Sequence, residues 1–187
     1  MKQDIDKALE VLHKGGIILY PTDTIWGIGC DATRADAIKR IYDLKKRIDN
    51  KSMLILLDNA ARLNSYVDTI PDVAYDLIDL SDKPLTIIYN GARNLPSNLV
   101  DEDGSIGIRI TTEVFSKTLC QRFKKPIVST SANISGEASP GNFSEISDEI
   151  KNGVDYVVTF RQEERQKSSP SGIIKLGPTG EVKIIRQ

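Results

Sequence analysis

Short apolar runs recur from one end of the chain to the other: "IILY" at 17–20, "MLILL" at 53–57, "LTIIY" at 85–89, "SIGIRI" at 105–110, "IVST" at 127–130, "YVVTF" at 156–160, "SGIIKL" at 171–176 and "EVKIIR" at 181–186. Runs this short and this rich in β-branched residues read as strands, most of them buried. Helical spacing appears between them. Ile5, Ala8, Leu9 and Leu12 predict a helix over 4–14, stopped by Gly15–Gly16. A second helix is expected to open at Thr33 with Asp36 three residues on, and to bury Ile38, Ile41 and Tyr42. A third is expected over 71–80 from Pro71, a fourth in "TEVFSKTLCQRFKK" and a short fifth in "FSEISDEIKNG" ending at Gly153. Helices and strands alternate early, while three strands crowd the end. That order points to a mixed, α+β-like α/β sheet rather than a strictly parallel doubly wound one.

With 187 residues, 40% hydrophobic and 27% charged, the chain has the balance of a globular domain that needs no staples. Lys plus Arg total 25 against 26 Asp plus Glu, so a uniformly basic nucleic-acid binder is not indicated. The first residues, "MKQDIDKALEVLHKGG", carry acids and read as neither signal nor transit peptide, and no apolar stretch reaches membrane-span length. Two distant cysteines, Cys30 and Cys120, and a single histidine, His13, leave no zinc spacing and no Ser-His or Cys-His pair. The expected setting is a reducing cytoplasm, with chemistry drawn from other residues. There is no GxxxxGK[ST], and "GIGCDA" lacks the third glycine of a dinucleotide loop.

Polar residues cluster at four strand ends. "YPTDTIWGIGCDA", residues 20–32, is a strand-to-loop turn offering the Thr22 and Thr24 hydroxyls, the Asp23 carboxylate and the flat Trp26 ring; its bland reading is a turn capped by its own side chains. "LKKRIDNKS", residues 44–52, gathers Lys45, Lys46, Arg47 and Lys51, with Ser52, where a helix ends and a buried strand begins. Cations suit a helix C-terminus anyway, but they would also converge on a strand end, where α/β sheets bind anions. "IVSTSANISGEASPG", residues 127–141, runs from a strand into Ser129, Thr130, Ser131, Asn133 and Ser135, a polar loop able to form an anion nest. The fourth comprises "SSPSGIIKL" and the terminal Arg186.

Together, "PTDTIWGIG", the K-x-R at Lys45–Arg47 and the S-x-N at Ser131–Asn133 followed by "SG" resemble the YrdC-like family, the threonylcarbamoyl-AMP synthases that begin threonylcarbamoyladenosine modification of tRNA. The likeness covers nearly the whole chain and matches the short form. It implies one YrdC-like domain over 1–187, a twisted mixed sheet flanked by helices with a large open cavity. The implied reaction is L-threonine + bicarbonate + ATP → threonylcarbamoyl-AMP + pyrophosphate, with Mg2+ carried on the ATP phosphates and no metal ligands from the protein. Carried over by position, Lys45, Arg47, Ser131 and Asn133 are the catalytic set. ATP would meet these together with Lys51, Ser52, Ser105, Ser139 and Arg186. Threonine would meet Thr22, Thr24, Arg109, Ser129 and Ser171, with Arg109 on its carboxylate. Three positions depart from the family pattern: Ile48 replaces the proline after K-x-R, Leu56 stands where many members have histidine, and "SPSG" replaces "PST".

The implied partners are threonine, bicarbonate, ATP and a downstream tRNA threonylcarbamoyl-transfer complex. The alternative is a noncatalytic double-stranded RNA-binding protein of the same fold. Weak tRNA or double-stranded RNA binding would then use the basic residues of 39–51 with Arg122, Lys124 and Lys125. A carbamoyltransferase acting through carbamoyl-AMP fits less well, since those chains are much longer and carry zinc modules.

Overall fold

A computed structural model of the chain describes residues 1–46 and 53–187. Arg47, Lys51 and Ser52, expected to contact phosphate, lie outside the described residues, as does Ile48. Among the described residues, β1 Ile18–Tyr20, β2 Gly27–Gly29, β3 Leu54–Leu57, β4 Leu85–Tyr89, β5 Ile106–Ile110, β6 Ile127–Ser131, β7 Tyr156–Val157, β8 Gly172–Leu176 and β9 Val182–Arg186 form one mixed sheet. Its order is β7-β1-β2-β6-β3-β5-β4-β8-β9, with β1–β7, β3–β5 and β4–β8 parallel and the other neighbours antiparallel. The class is the mixed α/β one expected. Strand β6 is the seam: Ser131 pairs with Gly27 of β2 on one side, and Ser129 pairs with Leu54 of β3 on the other.

The helices are α1 Lys2–His13, α2 Ala35–Leu44, α3 Val73–Leu80, α4 Val114–Phe123 and α5 Asp148–Gly153. Helix α1 buries Ile5, Ala8, Leu9 and Leu12 and packs on α4, which buries Phe115, Leu119 and Phe123. Each such side chain contributes roughly 1.5–3 kcal/mol by leaving water. His13 stays in the last turn of α1, its ring 5.0 Å from that of Phe123.

Several boundaries differ from the sequence expectation. Thr33 does not cap α2, because Asp31 accepts both its N–H and its hydroxyl; the helix opens two residues later, behind Arg34. Helix α3 starts at Val73 rather than Pro71. "FSEISDEIKNG" splits into a 3-10 turn, Phe143–Glu145, and α5, whose first turn is capped by the Ser147 hydroxyl. "YVVTF" supplies only two strand residues. Conversely, "GIG" within the first polar turn is itself a strand.

Candidate active site

The first turn shapes the inner end of the site. Thr22 Oγ1 donates to the Ile25 carbonyl (2.8 Å) and accepts from the Thr24 N–H (3.1 Å). Its one proton being used, the 3.1 Å contact with Thr24 Oγ1 has Thr24 as donor. Thr22 is thereby consumed by the turn, the bland reading of that residue, whereas Thr24 keeps free acceptor capacity. The glycines of "GIG" let β2 lie against β6. A Cβ at Gly27 would come 3.0 Å from Ser129 Oγ, and one at Gly29 would come 2.5 Å from the Val128 carbonyl.

Between this turn, β5 and the segment before β8 lies a small recess of about 60 Å³, lined by Thr24, Gly27, Arg109, Ser129, Ser131 and Ser171 among others. It adjoins an open cleft of about 650 Å³, in the range of small-molecule sites, and the two share Ile25, Leu54, Ser129, Thr130, Ser131 and Pro170. The cleft also receives Lys45, Asn133, Ser139 and Arg186. Of the residues expected to contact substrates, the structure thus gathers Thr24, Arg109, Ser129 and Ser171 in the recess, with Ser129 and Ser131 shared between recess and cleft. Thr22 lines a different crevice, and Ser105 donates its hydroxyl to Asp103 at 2.5 Å without lining the cleft.

The described cleft lining holds Lys45, Arg186 and Lys46, the last paired with Glu149, and has no Asp or Glu of its own, in a chain of net charge −1. The positive potential is therefore local, and suits an anion. Lys45 is only 3% exposed, and its ammonium donates to the carbonyls of Ser131 (2.5 Å) and Asn133 (2.7 Å). In return, the Ser135 N–H donates to the Lys45 carbonyl (2.9 Å). The K-x-R and S-x-N motifs thus brace one another. Asn133 Nδ2 donates to the carbonyls of Ile134 and Glu137, leaving Oδ1 as the buried atom with no hydrogen bond among the described residues. In this conformation its amide shapes the loop, and both Nδ2 protons are taken by carbonyls rather than offered to a phosphate.

Arg109, on β5, is 3% exposed, and its Nε lies 3.0 Å from Asp23 Oδ1, an ion pair without hydrogen-bond alignment. Burial pushes the Asp23 carboxyl above the usual aspartate range; Arg109 opposes that rise and the Glu113 carboxylate reinforces it. Arg186 Nε donates to the Ser171 carbonyl (2.9 Å). Burial, and then repulsion from Arg109, lower the Arg186 guanidinium from its ordinary value. Two guanidiniums therefore approach Ser171, one from each compartment.

Thr86 was not singled out by the sequence reading. It lines the cleft, sits in register with Arg109, and shares a 2.9 Å hydrogen bond with Ser171 Oγ. Its signal was a hydroxyl interrupting the apolar "LTIIY". Thr130 and Ser135 were likewise left out of the expected contacts and line the cleft. Leu56, at the position of the family's histidine, is buried beside Arg109 in register.

Both cysteines are buried, which raises their thiols and removes them as nucleophiles. Among the described residues no group of three His, Cys, Asp or Glu side chains could hold a metal ion, and no helix is long and apolar enough to cross a membrane. Among the described residues, most of the basic stripe is ion-paired. Lys39, Arg40, Lys46, Arg122 and Lys125 each lie 2.7–2.8 Å from a carboxylate, those of Asp43, Asp155, Glu149, Asp6 and Asp31.

Known proteins share this arrangement of elements. The profile of the Sua5/YciO/YrdC family, described as "Telomere recombination", matches residues 10–187. The threonylcarbamoyl-AMP synthase of Pseudoalteromonas translucida is 34% identical over 157 residues, 82% of this chain and 84% of that protein. Escherichia coli YciO superposes with a TM-score of 0.85 at 24% identity, over 100% of this chain and 90% of that one. P. abyssi Sua5 in complex with L-threonine superposes with a TM-score of 0.82 at 22% identity, over 92% of this chain and 50% of that longer one. The two structures share the fold, and the profile and the sequence identity carry the kinship: the chain belongs to the Sua5/YciO/YrdC family.

Proposed function

We propose that the chain is a threonylcarbamoyl-AMP synthase, with L-threonine in the recess and ATP in the cleft. The observation that carries this reading is the shared wall. Ser129, Thr130 and Ser131 line both compartments, so an amino acid held by one and a nucleotide held by the other meet along the end of β6.

Arg109 takes the threonine carboxylate, and Thr24 and Ser171 offer oxygens to its ammonium and hydroxyl groups. The threonine ammonium gives up a proton to solvent, and the resulting amine and bicarbonate form a carbamate, losing water. A carbamate oxygen then attacks the α-phosphorus, and the bond to the β-phosphate oxygen breaks to release pyrophosphate. Such a step asks for alignment and for neutralisation of crowded negative charge rather than for a histidine or a thiol. Arg186 and the Ser131 hydroxyl serve the phosphates. Lys45 braces the loop that presents Ser131, and its charge adds to the field. Arg47, Lys51 and Ser52 belong to this phosphate set by sequence position. Mg2+ carried in on the ATP phosphates would supply neutralisation of negative charge there. Residues 1–187 act as one unit, and the product feeds a transferase complex that modifies tRNA.

The test is pyrophosphate release from ATP with and without L-threonine and bicarbonate. Release that requires both supports the reading, and ATP left uncleaved under every combination overturns it.

A further inference from the structure

Behind the recess lies a set of buried and half-buried charges that substrate contact alone does not account for. Glu113 caps α4: its Oε2 accepts from the Ser116 N–H (2.7 Å) and hydroxyl (2.8 Å). Its other oxygen, Oε1, has no hydrogen bond among the described residues, and Arg161 Nη1 lies 3.4 Å away. A buried carboxylate oxygen left in that state depends on the nearby cation for compensation.

Arg161 is held at an unusual backbone angle, φ +70°, in the left-handed region that a residue with a Cβ rarely adopts. The neighbouring Phe160 ring stacks on Phe115 of α4, with centroids 6.1 Å apart. From there Arg161 reaches three groups. It faces Glu113, its Nη1 donates to the Thr22 carbonyl (3.1 Å), and its Nε donates to the Glu164 carboxylate (2.8 Å). Thr22 is the residue whose hydroxyl holds the Thr24 turn. Two ion pairs therefore stand behind the recess, Arg161 with Glu113 and Arg109 with Asp23, and repulsion from Glu113 adds to the rise of the Asp23 carboxyl.

We propose that Arg161 is a positioning residue for the amino-acid substrate. It balances Glu113 so that Asp23 can hold Arg109, and it pins the turn that presents Thr24. The inference rests on the reading of the recess as the threonine compartment. Arg161 is not expected to touch ATP, since the residues lining the large cleft do not include it.

The experiment is steady-state pyrophosphate release with threonine and ATP varied separately. Arg161→Gln should raise the threonine KM roughly tenfold, the scale of one coupled, half-buried charge, and leave the ATP KM within about twofold. The double variant Glu113→Gln/Arg161→Gln keeps an acceptor for the α4 cap and removes both charges at once. It should recover several-fold of the lost threonine affinity, which a purely architectural role for Arg161 would not allow. An unmoved threonine KM in Arg161→Gln overturns the proposal, as do equal rises for both substrates or a double variant no better than the single. If Arg161→Gln does not fold, Arg161→Lys takes its place. It keeps the charge but cannot span Thr22, Glu113 and Glu164 with one planar fork, so a rise of about threefold confined to threonine is expected. An unchanged or shared rise there overturns the proposal equally. Wild-type protein that releases no pyrophosphate would remove the functional reading itself, whereas active wild type with an indifferent Arg161 variant removes only this inference.

Discussion

Arg109 shows how much can depend on the shape of one side chain. Its guanidinium is buried, its Nε is turned toward Asp23, and it lines the recess beside Ser129 and Ser171. A planar fork can address a partner on one edge and a substrate carboxylate on another; an ammonium offers one point charge. Arg109→Lys should therefore raise the threonine KM by about tenfold or more, one charge-assisted hydrogen bond being worth roughly 1.5–3 kcal/mol. The ATP KM should stay close to wild type. Folding should change little, because Lys still faces Asp23, whose carboxyl is already pushed upward by burial and can take a proton where compensation weakens. Initial rates against each substrate and one thermal melt check the prediction, and parallel rises in both KM values would contradict the separate-compartment reading.

At the scale of elements, long-range ties hold what local pattern proposes. Asp4 is the clearest. From the first turn of α1 its Oδ1 accepts from the Tyr156 hydroxyl (2.8 Å) and from the Thr159 N–H (2.7 Å) and hydroxyl (2.8 Å), far along the chain. Burial by itself raises the Asp4 carboxyl, but the hydrogen bonds from Thr159 and Tyr156 outweigh it and leave the group lowered. A lowered carboxyl binds fewer protons in the folded state, so it stabilises above the ordinary aspartate value of about 3.9 and the benefit is lost as pH falls through the folded value. Asp4→Asn should thus cost roughly 1–3 kcal/mol at pH 7 and progressively less toward pH 3, read as denaturation midpoints of both proteins. A gap equal at both pH values would assign the loss to packing rather than to charge. The same contrast explains what the sequence disclosed. The apolar stripes of α1 and α4 were legible because the 3.6-residue spacing is local. The "GIG" strand was not, because it exists only by pairing with β1 and β6. The Thr33 cap failed because Asp31, two residues earlier, takes its donors. At the site, K-x-R and S-x-N stood out as charge and hydroxyl clusters. Thr86 escaped notice because only strand pairing sets it beside Arg109, and the contacts of Thr22 and Ser105 are settled within their own turns.

Across the whole molecule, the two compartments meet along one seam strand, whose last residues belong to both. β6 joins the β7-β1-β2 group to the rest of the sheet, and the cleft collects the end of α2, the S-x-N loop and Arg186 from β9. A ligand seated there bridges elements that the sheet holds far apart in sequence, and binding only to the folded state raises stability by mass action. At a hundredfold excess over its Kd a nucleotide should add about 2.7 kcal/mol, equivalent to a rise in Tm of roughly 5–11 °C for a chain of this size. Threonine should add its own shift through the recess. The two are separable: in Arg109→Lys the threonine shift at a hundredfold excess should fall by about half or more while the shift from a nonhydrolysable ATP analogue persists, because Arg109 lines the recess and not the cleft. In Arg186→Ala the pattern should reverse in the main, with the nucleotide shift reduced and part of the threonine shift kept, since Arg186 braces the Ser171 carbonyl as well as facing the cleft. Loss of both shifts in both variants would mean that recess and cleft form one indivisible site, and the division of labour between Arg109 and Arg186 would have to be abandoned.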